Sequence, residues 1–203
     1  MQTNKILLLF AHPAQDRSEV NLPIFQAASA IDGITCVDLY ALYPKHDIDI
    51  RLEQERLRRH NIIIFLFPLY WYSTPALLKD WMDLVLEYDF AYGKNGDVLK
   101  GKYLLPVIST GGAEKVYRQD SYDHFTIREL LRPIEQTAYF CQMHFIPPLA
   151  LFAARTAVDE GRLKCHIEQW RQLLHAFLKG TFNFNQAQAF EHLSGDLGQL
   201  IRG

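Results

Sequence analysis

Short apolar runs alternate along the chain with longer stretches in which apolar residues recur every three or four positions. The runs are residues 5–11, 35–39, 62–67, 103–109 and 143–146, and their Ile, Leu, Val and Phe content predicts five strands buried on both faces. The amphipathic stretches at 20–30, 51–59, 76–88, 127–140 and 161–178 predict helices between them. Regular alternation of the two predicts parallel βαβ units, and so an α/β fold with helices on both faces of one sheet. Such a sheet binds ligands beyond the C-terminal ends of its strands, where the winding direction reverses. The loops after the first, third and fourth strands, residues 12–21, 68–74 and 110–124, are therefore the candidate site before their residues are considered. Pro147 and Pro148 predict a sharp turn that ends the fifth strand.

Residues 1–179 account for the whole predicted domain, and 180–203 are expected to form a C-terminal tail. Asn183, Asn185, Gln186 and Gln188 make that tail polar, while Phe182, Phe184 and Phe190 argue against a pure random coil. With 203 residues the chain suits one domain. Twenty-one basic against 23 acidic residues leave a formal charge of −2, so no bulk electrostatic attraction to nucleic acid is expected. Cys36, Cys141 and Cys165 form no CxxC pair, which predicts neither a disulfide framework nor a zinc site and fits a reducing cytoplasm. The apolar run near the N-terminus is too short to span a membrane. The eight histidines show no ligand spacing, so no metal is expected.

Each candidate loop carries a different chemistry. After the first strand, His12-Pro13 leads to Ser18 and Asn21, with Ser18 placed to cap a helix whose N-terminal N–H groups suit a phosphate. Taken alone, this loop is better explained as an ordinary capped helix. After the third strand, Leu69, Tyr70, Trp71 and Tyr72 put three adjacent aromatics at a strand end, and they cannot all enter one core. Thr74 as N-cap and Pro75 as first helical residue then predict the next helix start. A planar ligand would lie against these rings, with backbone N–H groups at its edge. After the fourth strand, Thr110, Gly111, Gly112 and Ala113 let the backbone approach a ligand closely, Gly112 being expected to leave room for a ring. Phosphate cradle, aromatic bed and glycine approach together describe a flavin mononucleotide site.

These motifs, with Pro75-Ala76-Leu77-Leu78-Lys79, Phe90-Ala91-Tyr92-Gly93, Gly101-Lys102 and Leu131-Arg132-Pro133, resemble the NAD(P)H:quinone reductase family over residues 5–178. The likeness extends to its bacterial branch of KefF- and KefG-type ancillary proteins of glutathione-gated potassium efflux systems. It implies a flavodoxin-like, doubly wound, five-stranded parallel sheet in the order 2-1-3-4-5. It also implies bound FMN, or FAD, and two-electron transfer from NAD(P)H to a quinone. By the family's pattern Ser18, Glu19, Val20 and Asn21 hold the phosphate with His12 beside them. Leu69 to Tyr72 contact the isoalloxazine, and Thr110 to Ala113 face its pyrimidine edge. Tyr117 falls where the family carries a tyrosine beside that edge. The accompanying histidine is displaced by one position, leaving Asp123 there and His124 next to it. The resemblance further implies a homodimer in which Tyr92 reaches the partner's substrate pocket, and a cytoplasmic location, peripheral on the inner membrane where a potassium efflux transporter is the partner. A non-catalytic regulatory subunit and a plain electron-transfer flavodoxin are the rival readings. An acyl hydrolase is disfavoured because no GxSxG elbow is present.

Overall fold

The computed structural model describes residues 4–195 and 197–201. In chain order its elements are β1 (Ile6–Phe10), α1 (Asn21–Ser29), β2 (Ile34–Asp38), α2 (Leu39–Leu42), α3 (Ile50–Arg59), β3 (Ile62–Pro68), α4 (Ala76–Val85) and β4 (Tyr103–Ser109). There follow α5 (Ile127–Leu130), α6 (Arg132–Phe140), β5 (His144–Phe145), β6 (Leu149–Leu151), α7 (Arg162–Lys179), α8 (Phe184–Ala187) and α9 (Leu197–Leu200). All strand pairs are parallel and the sheet order is β2-β1-β3-β4-β5, with β6 also pairing β4. The flavodoxin-like winding order is thus observed, with one short strand more than expected.

The sheet divides two cores, and the strands alternate between them. Leu7 and Leu9 of β1 pack with Leu57 and Trp81 on the α3/α4 face. Ile6, Leu8 and Phe10 pack with Ile24, Trp170 and Leu173 on the α1/α7 face. Each such fully buried side chain contributes on the order of 1.5–3 kcal/mol, which is why continuous apolar runs sit at the middle of the sheet. On the second face the Trp170 indole N–H donates to the Ile24 carbonyl at 3.1 Å, joining α7 to α1.

Three expectations need correction. The count of five strands is one short: β5 ends at Phe145, before the prolines as expected, but the chain steps past Pro147 and Pro148 and β6 pairs the end of β4. Proline removes only its own N–H from the ladder, so pairing resumes at Leu149. The helix expected over 127–140 is two helices, since Leu131 leaves the regular helical geometry and Pro133, in the first turn of α6, has no N–H with which to continue the ladder from α5. Thr74 caps nothing: Pro75 is the N-cap of α4 and makes no side-chain cap, and α4 closes at Val85, three residues short of the expected 88.

Residues 180–195 and 197–201 lie against the α1/α7 core. Phe182 meets Phe177 edge to face at 4.9 Å, Phe184 stacks on Tyr103 at 3.8 Å, and Leu193, Leu197 and Leu200 are buried.

Candidate functional site

The loop after β1 is shaped by hydrogen bonds that leave specific donors unspent. His12 is buried, and its Nδ1 accepts the Ala14 N–H at 3.2 Å, so its Nε2 carries the proton and meets the Tyr70 hydroxyl at 3.3 Å. Burial holds the His12 imidazole below its ordinary pKa, the Ala14 bond and nearby Asp16 offsetting this only in part, and it is neutral at neutral pH. Ser18 lies two residues before the N-cap Val20, rather than at the cap itself. Its Oγ nevertheless accepts from the N–H groups of Asn21 at 3.0 Å and Leu22 at 3.2 Å. Both lone pairs are then used, and the hydroxyl proton is left to donate. The N–H groups of Glu19 and Val20 reach no protein acceptor among the described residues. Asn21, 1% exposed, donates from Nδ2 to the Ser109 hydroxyl at 2.8 Å, while its buried Oδ1 has no partner among the described residues.

The loop after β3 is anchored by the Leu69 N–H on the Ser109 carbonyl at 2.9 Å. It then makes a tight reversal in which Ser73 donates to the Tyr70 carbonyl at 3.1 Å. The two central residues are Trp71 (φ 50°) and Tyr72 (φ 61°), both left-handed, a geometry that turns of this kind normally reserve for Asn and Gly. Aromatic residues held there store on the order of 1–3 kcal/mol each, an outlier of the sort that clusters at ligand sites. Trp71 is 93% exposed. The Tyr72 hydroxyl donates to Asp123 at 3.2 Å, and that carboxylate raises the phenol's pKa.

The loop after β4 extends the β4–β6 ladder. Thr110 donates to the Leu151 carbonyl at 3.0 Å, and Ala154 and Ala153 donate back to the Thr110 and Gly112 carbonyls at 2.8 and 2.7 Å. Neither Gly111 nor Gly112 has positive φ, so approach and not backbone freedom explains them. A Cβ at Gly111 would meet open space, whereas one at Gly112 would strike Val116 at 2.8 Å and the Tyr117 hydroxyl at 3.0 Å. The expectation that Gly112 leaves room for a ring therefore passes to Gly111, because Gly112 is turned toward Tyr117.

His12, Ser18, Glu19, Val20, Asn21, Leu69, Tyr70, Trp71, Thr110 and Gly111 border one cavity of about 580 Å³. Arg17 and Pro68, which lie in the candidate loops but were given no role, complete it with Ser109, Ala154 and Arg155, which lie outside those loops. Arg17 and Ser109 directly adjoin expected residues, but Ala154 and Arg155 arrive only because β6 exists. Tyr72, Gly112, Ala113, Tyr117 and His124 stand outside this cavity in the single chain. Tyr117 packs on Phe152 with ring centroids 5.7 Å apart, and His124 is exposed with φ 61°. Tyr92 belongs to a separate aromatic group, 5.7 Å from Tyr88 and 4.9 Å from Phe140.

A parallel sheet wound in this order, with its cavity at the C-terminal strand ends, defines a class, and residues 4–174 match the family model described as flavodoxin-like fold: the chain belongs to that family. Within it, the chain is similar to the glutathione-regulated potassium-efflux system ancillary protein KefG of Enterobacter sp. (strain 638). The two are 47% identical over 154 residues, 76% of this chain and 84% of that protein. Among solved structures it resembles general stress protein 14 of Treponema denticola in complex with FMN (TM-score 0.80, 34% identity, 85% of this chain and 99% of that one). It also resembles an NADPH-quinone reductase of P. pentosaceus (TM-score 0.75, 34% identity, 83% and 96%).

Proposed function

We propose that this chain binds FMN in the cavity at its strand ends and passes two electrons from NAD(P)H to quinones. The observation that carries the reading is a set of unspent donors, the N–H groups of Glu19, Val20, Trp71 and Gly111, bordering one cavity beside aromatic rings. Such a set suits a ligand that is anionic at one end and planar at the other. The FMN held by the Treponema protein and the activity named for the P. pentosaceus reductase support the same reading.

The residues fit the cofactor by donor type. Ser18, through its hydroxyl proton, and the Glu19 and Val20 N–H groups would hold the phosphate, with Arg17 supplying countercharge. Asn21 Oδ1, otherwise a buried acceptor without a partner, would take a hydroxyl of the cofactor's polyol chain. Tyr70 and Trp71 would lie against the ring system, and Gly111 would let the backbone approach it. FMN, once bound, supplies the two-electron chemistry. Around it, neutral His12 donates from Nε2 to Tyr70, which frees the Tyr70 proton for the cavity. Tyr117, behind Gly112, is assigned as a donor toward negative charge developing at the pyrimidine edge, and exposed His124 is given no step. In the same reading two copies associate through the group of Tyr88, Tyr92 and Phe140, bringing Tyr92 to the partner's pocket.

Titrating the purified chain with FMN and FAD, then adding NADH or NADPH followed by a quinone, tests this. A yellow complex bleached by NAD(P)H and recoloured by quinone is expected. A folded chain that binds neither flavin overturns it.

The likeness to KefG favours a second, compatible reading, in which the chain is an ancillary subunit of a potassium efflux transporter. Among the described residues no helix is long and apolar enough to cross a membrane, so on this reading the transporter holds the chain at the cytoplasmic face of the inner membrane. Co-purification with the transporter is the expected result; potassium efflux indifferent to loss of this chain would refute it.

A further inference from the structure

The family match ends at residue 174, yet the chain beyond α7 is tied back to the loops of the cavity. Ser194 lies along the outer edge of β6, where its Oγ accepts the Ala150 N–H at 2.9 Å and donates to the Ala150 carbonyl at 2.7 Å. One hydroxyl thereby satisfies both groups of an edge residue that a further strand would otherwise pair. Close by, Leu193 donates to the Pro148 carbonyl at 2.8 Å, and one Arg128 nitrogen donates to the Gln188 and Phe190 carbonyls, each at 3.2 Å. Held between these anchors is His192, its side chain 16% exposed, with Nε2 3.3 Å from the Glu114 carboxylate. The His192 ring stands edge-on to Phe152 at 5.2 Å, and Phe152 packs against Tyr117.

We infer that His192 is a positioning residue for the ligand-facing loop 110–114, acting through Glu114 and Phe152, with Ser194 fixing the strand from which that loop is hung. What the loop touches rests on the flavin reading above; that the loop is held from this side does not. Beyond Thr110 the loop has little of its own to fix it. Its regular structure is one short 3-10 turn, Glu114–Val116, and the N–H groups of Gly111, Gly112 and Ala113 reach no protein acceptor among the described residues. Its order comes from residues 151–154, which carry the backbone bonds to Thr110 and Gly112. Those residues extend a strand only three residues long, paired by β4 on one side and by Ser194 on the other. His192 closes the arrangement by gripping a side chain on each half, Glu114 from the loop and Phe152 from the strand. Its Nδ1 is buried without a partner among the described residues, so the imidazole serves as a bracket and passes no proton onward.

The test uses the full chain and the variants His192→Leu, His192→Gln and Ser194→Ala. Two quantities are read: amide hydrogen exchange of residues 110–117 without flavin, and FMN affinity by fluorescence titration. His192→Leu should raise exchange in 110–117 and weaken FMN binding, each about tenfold, the factor expected for losing one partly exposed polar contact together with an edge-on ring contact, while exchange in β1 and β3 stays put. His192→Gln, which keeps an N–H for Glu114, should restore part of both effects. Ser194→Ala should show the same pattern more weakly, and it serves if His192→Leu fails to fold. A tail that is merely structural would raise exchange everywhere alike, and that result overturns the inference, as does unchanged exchange in 110–117. If the unaltered chain binds no FMN while His192→Leu still loosens the loop, the flavin reading falls and the positioning role stands. If all four chains bind FMN equally and loop exchange is unchanged, the positioning role falls and the flavin reading stands.

Discussion

The sheet has a hollow at each end, and the larger one is not the candidate site. At the N-terminal strand ends a groove of about 880 Å³ runs between β1, β2 and α3, against about 580 Å³ for the cavity at the opposite end. The groove is lined by charged side chains whose polar groups are mostly spent. Arg56 pairs with buried Glu53, Arg59 with Glu55 at 3.3 Å, and Asp49 caps the Leu52 N–H at 3.0 Å. His60 bonds the Arg56 carbonyl at 2.6 Å and the Thr35 hydroxyl at 2.8 Å. The smaller cavity is lined instead by several donors that reach no protein acceptor among the described residues. Unspent hydrogen-bonding capacity, more than volume or formal charge, separates a place built for a ligand from a place built to be solvated.

The strongest attempt to break this contrast is Gly111→Val. Its side chain would enter the open cavity, so FMN affinity should fall at least about a hundredfold, or ~2.7 kcal/mol, with the melting temperature nearly unchanged. Gly112→Val is the control, since its Cβ meets Val116 and Tyr117 and should cost about 1–3 kcal/mol of stability by overpacking. Equal effects at the two positions in both assays would erase the distinction between cavity and turn.

An unpaired group remote from the candidate cavity should affect stability alone. His166 on α7 is buried with Nε2 unpartnered among the described residues, and desolvation lowers its pKa to about 4. Between about pH 4 and 6.5 the unfolded chain binds a proton that the folded chain does not, so stability rises with pH through this window and is lost on acidification. The residue should therefore make the fold about 2 kcal/mol less stable at pH 5 than at pH 7. His166→Leu should flatten that slope in urea unfolding at the two pH values without changing FMN affinity; an unchanged slope would show the imidazole to be solvated.

Ser18→Ala removes the acceptor for two N–H groups together with a donor facing the cavity. FMN binding should weaken about tenfold and stability fall by about 1 kcal/mol, read by titration and by thermal unfolding of the same sample. At the other hollow, Arg51→Ala with Arg59→Ala should change FMN affinity by less than about twofold, because exposed charges one sheet-length away are largely screened. A large loss there would mean that the groove, too, serves the ligand.

The sequence made β1, β3 and β4 legible because a strand covered on both faces must be apolar throughout, while β2, at the sheet edge, is only partly buried. Residues 62–67 predicted what became Ile62–Pro68 almost to the residue. The fifth strand does end before Pro147 and Pro148, but the two prolines also look like the end of the sheet, whereas at its edge they merely interrupt pairing. That single error hid β6, and with it Ala154 and Arg155 at the cavity. The aromatics Tyr70, Trp71 and Tyr72 were visible as a platform. Their left-handed backbone was not, since propensity speaks against it and only the surrounding fold imposes it. Nor does anything local announce that Asn21 will meet Ser109, 88 residues away.

The order in which strands join the sheet bears on how the chain emerges from the ribosome. β1 lies inside the sheet, and β3, β4 and then β5 and β6 are added outward on one side in the order of their synthesis. Each new strand thus finds its template already made and briefly becomes the exposed edge itself. The last of these edges is the slowest to be covered: β6 waits for Ser194, 44 residues after Ala150, with all of α7 to be made in between. During that interval an unpaired three-residue edge faces the crowded exit of the nascent chain, an invitation to pair with a neighbour's strand. Its brevity, and the two prolines that precede it, keep that invitation weak.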